Sequence, residues 1–507
     1  MYRIVNITQT RFENEVSSLL RKKQFKNNDH QISSDLTKNI NKIKADFSYQ
    51  INNDFSIRLL TAKFNQREIC LCYLASLVNS DKIEQSIIQP LLEQDGQEII
   101  NIITVESIKS MTDCIEINHN ITSGKVILFM EDHSQAYSID VSKFEHRDVT
   151  QSENESVVRG PKEAFTESIH VNISLIRKRI RNQHLVTEVQ HVGQRSKQDV
   201  QLVYIDDLVN EQLLEDIRSR INQINADSVQ NLELLEQYIE DRPLSIFPTI
   251  LYTERPDNAS TYINRGHVVL LMESSAACLI VPINFWSFIH NIEDRYSRFM
   301  FSNFSRAIRF LALFLTTMIS ALYVALANFH TEMIPLNLLL AIASARDRVP
   351  LPLILEVFLM EIAFELIREA GVRIPNPLGP TIGIVGALIL GQAAVEANII
   401  SPIIVIISAL SGLTSFVISD PSFNFTVRIT RFIFIFGASF FGIYSLMITF
   451  TLWLMYAVSL KSFGVPYFAP LAPSYRSNKD TYFRKPLRDE KWRPNYLLPK
   501  DLKMMKK

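Results

Sequence analysis

Up to about residue 309 the chain mixes apolar and charged positions at short range. Beyond it, long apolar runs take over. FLALFLTTMISALYVALANF, 310–329, holds no Asp, Glu, Lys or Arg. As a helix it is long enough to cross a hydrocarbon layer of ~30 Å. Similar runs occupy 381–397, 399–418 and 431–458. This pattern predicts an all-α, multi-spanning transmembrane domain over 293–460, with four crossings. The segment 419–431, read as a loop carrying Arg428 and Arg431, fits that count poorly.

The first half carries a different pattern, short apolar stretches bounded by turn residues, and two pieces of it occur twice. YLASLVN (73–79) resembles YIDDLVN (204–210), and GKVILFME (124–131) resembles GHVVLLME (266–273), the copies standing 131 and 142 residues apart. Each first piece closes a strand pattern and leads into an amphipathic helix. Each second piece is a glycine turn followed by a buried strand. The expected fold is therefore α+β in the N-terminal region, with two related α/β subdomains, followed by the all-α membrane domain. The boundaries are a disordered segment 1–45, a first subdomain 46–150, a linker helix 151–184, a second subdomain 185–292, the helical domain 293–460 and a basic cytoplasmic tail 461–507. In the linker, Ile169, Ile173, Ile176 and Ile180 mark one helical face, and Arg177, Lys178, Arg179 and Arg181 make the segment basic. That predicts a solvated linker helix or a contact with acidic headgroups or a partner.

Charge sets the orientation. Arg295, Arg298, Arg306 and Arg309 precede the first apolar run, and the tail after Leu460 has twelve Lys/Arg against four Asp/Glu. By the positive-inside rule both flanks face the cytoplasm. MYRIVNITQTRFENEV has no apolar core of a signal peptide, so both termini are expected inside. The net charge of −1 gives no footing for a nucleic-acid partner.

Chemistry-bearing motifs are missing. No P-loop, GxGxxG, GxSxG or HExxH occurs. His184 and His191 stand seven apart without a third ligand, and the four cysteines lack metal-ligand spacing, which predicts reduced, buried thiols. Asp206-Asp207 follow a strand, but the first copy has Ala75-Ser76 there, so a turn or cap is the expected role. No enzyme activity, cofactor or metal is expected.

The polar residues of the apolar half are more informative. Gly379, Gly383, Ala387 and Gly391 form a small-residue stripe that lets a helix approach closely. Gln392 and Glu396 follow one turn apart, and Ser408, Ser411 and Ser415 recur at helical spacing. Gln392 could bond between helices and Glu396 reach the interface, or this face could line a hydrated cavity. Within 350–371 stand Glu356, Glu361, Glu365 and Glu369. Glu361 and Glu365 lie within about 40° on a helical wheel, and Arg368 can pair with one carboxylate but not neutralise the row. Such a helix either lies in the interface with its carboxylates in water, or enters the membrane within an oligomer and sets them on a cation path.

RGPKEAFTE with LIRKRI, FPTILYTERPD (247–257), NFHTEMIP (328–335), the run from LMEIAFELIREAG to LGQAAVEANIISP, and SFGVPYFAPLAP (462–473) resemble, in collinear order over about residues 50–475, the A subunit of GerA-type spore germination receptors. The resemblance implies a multi-pass protein of the spore inner membrane, acting with a transporter-like, nutrient-binding B subunit and a lipoprotein C subunit. It implies an oligomeric ion channel opened when the complex senses nutrient, and no reaction. A scaffold that passes the B-subunit conformation to other effectors is the alternative. Carried onto this chain, the family segments make Glu361, Glu365, Gln392 and Glu396 the candidate pore or gate residues. Arg159, Lys162, Glu163 and Arg368 become candidate coupling residues.

Overall fold

The structure is a computed structural model that describes residues 31–505 apart from 64–65, 95–98, 106, 144–154, 156, 374–385, 387–388 and 476–479. It forms two compact units, one of residues 1–148 with 170–189 and one of 149–169 with 190–507.

In the first unit, helix α1 (Leu36–Asp46) falls where disorder was expected. Its Leu36, Ile40 and Ile43 are buried, and Asp35 caps it by accepting from the Thr37 and Lys38 amides. An i, i+4, i+7 apolar face with a cap outweighs the polar composition around it. The sheet has strands β1 (Phe55–Thr61), β2 (Glu68–Leu74), β3 (Ile108–Met111), β4 (Val126–Met130) and β5 (Ala136–Ile139), in the order β1-β2-β4-β5-β3 with antiparallel neighbours. Both faces are covered. Cys70 and Cys72 point into one apolar cluster, with α1 and helix α2 (Cys114–Thr122), while Ile69 and Leu71 point into the other. All four cysteines are free and buried.

The basic segment expected to be a solvated linker is instead built into this unit from His170 on. Helix α3 (Ile169–Arg179) buries Ile173, Leu175, Ile176 and even Arg177. Arg177 can be buried because its guanidinium meets the Asp54 carboxylate and donates to Asn52 Oδ1 at 3.3 Å. Asp54 in turn accepts from the Ser76 amide and hydroxyl, both at 2.8 Å. Such pairing is what a buried charge requires.

The second sheet repeats the first. Strands β6 (Leu185–Val192), β7 (Gln198–Ile205), β8 (Leu251–Thr253), β9 (Val268–Met272) and β10 (Cys278–Val281) run in the order β6-β7-β9-β10-β8, equivalent strand for strand. The repeated sequences occupy equivalent places. Asn79 and Asn210 each cap a helix by accepting from the amide two residues on, the second being α4 (Glu211–Asn222). Gly124 (φ 85°) and Gly266 (φ 97°) each turn the chain into a fully buried strand. Helices α5 (Leu232–Ile239) and α6 (Pro256–Ile263) belong to this subdomain, and a short α7 (Glu293–Tyr296) leads out of it.

The helical region follows: α8 (Phe299–Phe329), α9 (Leu336–Arg346), α10 (Leu353–Arg373), α11 (Pro402–Ser415), α12 (Pro421–Phe441) and α13 (Ile443–Ser459). Of the described helices, only α8 is both long and apolar enough to cross a membrane, while α9, α11 and α13 are apolar but shorter. The run 431–458 is not one helix. Gly442, at φ 63°, divides it, and a Cβ there would come within 2.7 Å of the His330 ring. The segment expected as the 419–431 loop is helical from Pro421, with Asp420 as its cap accepting from the Phe423 amide at 2.7 Å. Gly379, Gly383 and Ala387 lie outside the described residues. Gly391 does face a neighbouring helix, its absent Cβ falling 3.0 Å from Val405.

Candidate functional site

Several of the stretches singled out in the sequence, RGPKEAFTE and FPTILYTERPD among them, lie in the second unit. Gly160, at φ 124°, sits against the Tyr296 ring. The Tyr296 hydroxyl donates to Asp257 Oδ2 at 2.6 Å. Arg255, almost fully buried, grips the same carboxylate with two hydrogen bonds of 3.1 and 2.8 Å and donates to the Pro161 carbonyl at 2.7 Å. RGPKEAFTE and TERPD are thus two halves of one clamp between the second sheet and α7. An alanine Cβ at 160 would stand 2.5 Å from Tyr296 Cδ2 on a backbone that L side chains avoid. Gly160→Ala is expected to cost about 1–3 kcal/mol, read as a lower unfolding midpoint of the full chain. A change near zero would mean the turn relaxes freely.

A second joint ties the subdomain to the helices. Phe247 is buried between the rings of Trp453, Tyr456 and Tyr467, with centroids 5.2, 6.0 and 6.0 Å away. Tyr467, from SFGVPYFAP, accepts through its carbonyl from the Phe285 amide at 2.8 Å. Thr426, on the first turns of α12, donates to the Ile246 carbonyl. Helix α12 is therefore anchored near its start to the second α/β subdomain.

Further along, α12 meets the carboxylates of α10. Arg431 Nη1 lies 2.9 Å from Glu361 Oε2, with the two side chains 1% and 0% exposed. Its other amino group pairs with Glu365. Arg428 closes on Glu365 as well, its Nε donating at 2.8 Å. Ser320 of α8 donates to Glu361. Ser411 of α11 accepts from Arg431 at 3.0 Å and passes its own proton to the Thr316 carbonyl at 3.2 Å. Arg368 donates to the Gly412 carbonyl at 2.8 Å and to the Ser415 hydroxyl, lies over the Phe416 ring and reaches Glu365 only at 4.0 Å. Glu356, also fully buried, is held separately by Arg346 at 3.2 Å and the Ser401 amide at 3.1 Å.

This arrangement has a clear electrostatic logic. An unpaired carboxylate in an apolar helix bundle is costly, and its partners must come with hydrogen bonds that fill the remaining lone pairs. Four helices contribute to that, so the network holds α8, α10, α11 and α12 in one register. It places Glu361, Glu365 and Arg368 together, as the α10 spacing implied. Gln392 and Glu396 are exposed, with Gln392 Nε2 donating to Glu396 at 2.9 Å. Arg159 and Lys162 are exposed and Glu163 half-buried, and the Arg159 amide donates to Glu293 at 3.2 Å. The sequence reading missed Arg428 and Arg431 as partners. The available signal was their i, i+3 spacing inside an apolar segment that an exposed loop explained poorly.

A family model described as Bacillus/Clostridium GerA spore germination protein matches residues 41–496. The chain is similar to spore germination protein KA of Bacillus subtilis (strain 168), 34% identical over 482 residues that cover 93% of this chain and 88% of that protein. It is similar also to spore germination protein GerLA of Bacillus cereus, 33% identical over 458 residues, 89% of this chain and 93% of the other. Among solved structures, it resembles the N-terminal domain of the A subunit of the Bacillus megaterium spore germinant receptor GerK3, at 25% identity and a TM-score of 0.40, over 50% of this chain and 97% of that one.

Proposed function

The chain belongs to the GerA family of spore germination proteins, and on that premise we propose that it is the A subunit of a nutrient-sensing germination receptor that forms an oligomeric cation channel. In this reading it spans the spore inner membrane several times with both termini in the cytoplasm. It works with a transporter-like, nutrient-binding B subunit and a lipoprotein C subunit, and it opens when the complex binds nutrient. The observation that carries the reading is the place of α12. One end is anchored to the soluble subdomain through Thr426, and its middle carries the arginines that neutralise Glu361 and Glu365. A movement of the subdomain is transmitted to α12, separates the arginines from α10 and leaves bare carboxylates beside the hydroxyls of Ser320 and Ser411. Paired, the carboxylates offer nothing to a cation; freed, they do.

The alternative is a non-conducting scaffold that couples the nutrient-binding subunit to downstream effectors. Its support is that Glu356, Glu361 and Glu365 are already matched within one chain, as in a purely structural network.

Potassium efflux from liposomes holding this chain with its B and C subunits, with nutrient added or withheld, separates the two. The channel reading expects nutrient-dependent efflux whose preference for potassium over chloride falls several-fold when Glu365→Gln and Glu361→Gln are introduced. An assembled, nutrient-binding complex that passes no ions leaves the scaffold.

A further inference from the structure

A cavity of about 360 Å³ lies within the second unit, where α6, α7, the residues entering α12 and the C-terminal segment meet. Its size suits a small molecule. Its lining includes Glu155 and Asp420 as well as Arg265, Arg295, His290 and Tyr496.

The arginine side is short of negative charge. Arg265, Arg295, Arg306 and Arg309 gather there with Asp294, Asp480 and Glu490. Arg306 takes Asp294 at 3.0 Å and Asp480 at 2.5 Å, and Arg309 takes Asp294 as well. Glu490 is left for Arg295, at 3.1 Å. Among the described residues Arg265 reaches only the already committed Asp480, at 3.7 Å. Four guanidinium groups thus share three carboxylates. Arg295 Nη1 is buried without a hydrogen-bond partner among the described residues. His290 adds no charge: burial pushes it down to about 4, and its Nε2–H donates to the Thr481 carbonyl at 2.6 Å. Burial, and after it the like charge of Arg265, push the Arg295 guanidinium below its usual range. The Tyr496 hydroxyl accepts from Asn284 at 2.9 Å, which leaves its own proton to donate.

We propose that this cavity binds a small oxyanion, a carboxylate or a phosphate, between Arg265 and Arg295 with Tyr496 as a further donor. An oxyanion supplies the missing negative charge between Arg265 and Arg295, the charge-assisted geometry guanidinium groups favour. It would join three parts of the chain: Arg265 follows α6 of the soluble subdomain, Arg295 stands on α7 just before α8, and Tyr496 belongs to the C-terminal segment. Bound anion therefore fastens the subdomain to the root of the first long helix. The proposal stands whether or not the chain conducts ions. The anion is either a free solute or the headgroup of an anionic lipid.

The test uses the full chain in an uncharged detergent free of phosphate. Inorganic phosphate and succinate are titrated at constant ionic strength against chloride, with the unfolding midpoint followed. Binding is measured independently by equilibrium dialysis of labelled phosphate. A saturable rise in the midpoint with both oxyanions, absent with chloride, is expected. Arg265→Met should weaken the apparent affinity at least about tenfold while leaving the anion-free midpoint nearly unchanged, because Asp480 keeps Arg306. No saturable effect beyond chloride together with no dialysis binding, or an unchanged response in R265M, overturns the proposal. In lipid discs, phosphate binding that survives with phosphatidylcholine but is lost with phosphatidylglycerol assigns the site to a headgroup. Survival in both assigns it to a free anion.

Discussion

Replacing Arg431 by methionine is expected to destabilise the helical region by about 3–5 kcal/mol, the range for removing one partner of a buried ion pair. Glu361 is fully buried, and Arg431 is its charged partner at 2.9 Å. Without it the carboxylate keeps, among the described residues, hydroxyl donors such as Ser320, and is left buried without a charged partner. Glu365 suffers less because it keeps Arg428. The double variant Glu361→Gln, Arg431→Met removes both charges and should recover much of the loss, with a coupling energy of at least about 2 kcal/mol in the double-mutant cycle. The measurement is thermal loss of helical circular dichroism from the full chain in micelles. If R431M costs under about 1 kcal/mol, as an exposed pair would, the network is not a closed, dry element. Its release could not then gate anything.

The second large effect lies in the first unit. Arg177→Met should cost a similar amount, about 3–5 kcal/mol, by leaving Asp54 without its cation. The side chains of Arg177 and Asp54 are 2% and 5% exposed. Ser76 and Asn52 surround them, and Asn52 Oδ1 also accepts from the Thr187 amide and hydroxyl, at 3.3 and 3.0 Å. Arg177→Lys is expected to recover only part of the loss, since one ammonium cannot both meet Asp54 and reach Asn52 as the fork does. Amide hydrogen exchange in the full chain checks this: α3 should lose protection in R177M while β9 and β10 keep theirs. Unchanged exchange in α3 would show that the apolar face, Ile173 and Ile176 included, holds the helix alone.

Germination receptors of this family would feel these two variants differently. Loss of Arg431 acts on the α10–α12 register that the proposed gate uses. Loss of Arg177 acts on the Asp54–Asn52 network of the first unit and on what that network holds, α3 and the start of β6. On the channel reading proposed above, a complex with R177M that assembles is therefore expected to keep nutrient-dependent efflux, whereas one with R431M is expected to lose its nutrient dependence.

Much of the N-terminal α+β fold was legible. Tyr73 to Asn79 and Tyr204 to Asn210 repeat because the same strand end and the same asparagine cap recur. Gly124 and Gly266 repeat because both turns need positive φ. These are local demands, written within a few residues. The row of Glu361 and Glu365 was legible for the same reason, as a helical spacing. Helix α3 shows where such reading stops: four cationic residues in LIRKRIR look solvated, and only Asp54, far away in the chain, makes one of them an interior residue. Gly442 is similar: the apolar run holds two glycines, Gly437 and Gly442, and the one that divides the helix is the one at φ 63°, packed so closely on His330 and Phe329 that a Cβ would not fit.

By itself, the sequence determined the duplicated strands, their caps and turns, the apolar helices and the face on which the carboxylates stand, because periodicity and backbone preference act over one or two helical turns. Only the tertiary structure decided that those carboxylates face arginines rather than water. Glu365 and Arg431 are 66 residues apart, and their pairing depends on how α8, α10, α11 and α12 pack. A buried charge is tolerable only where distant parts of the chain bring its partners to it.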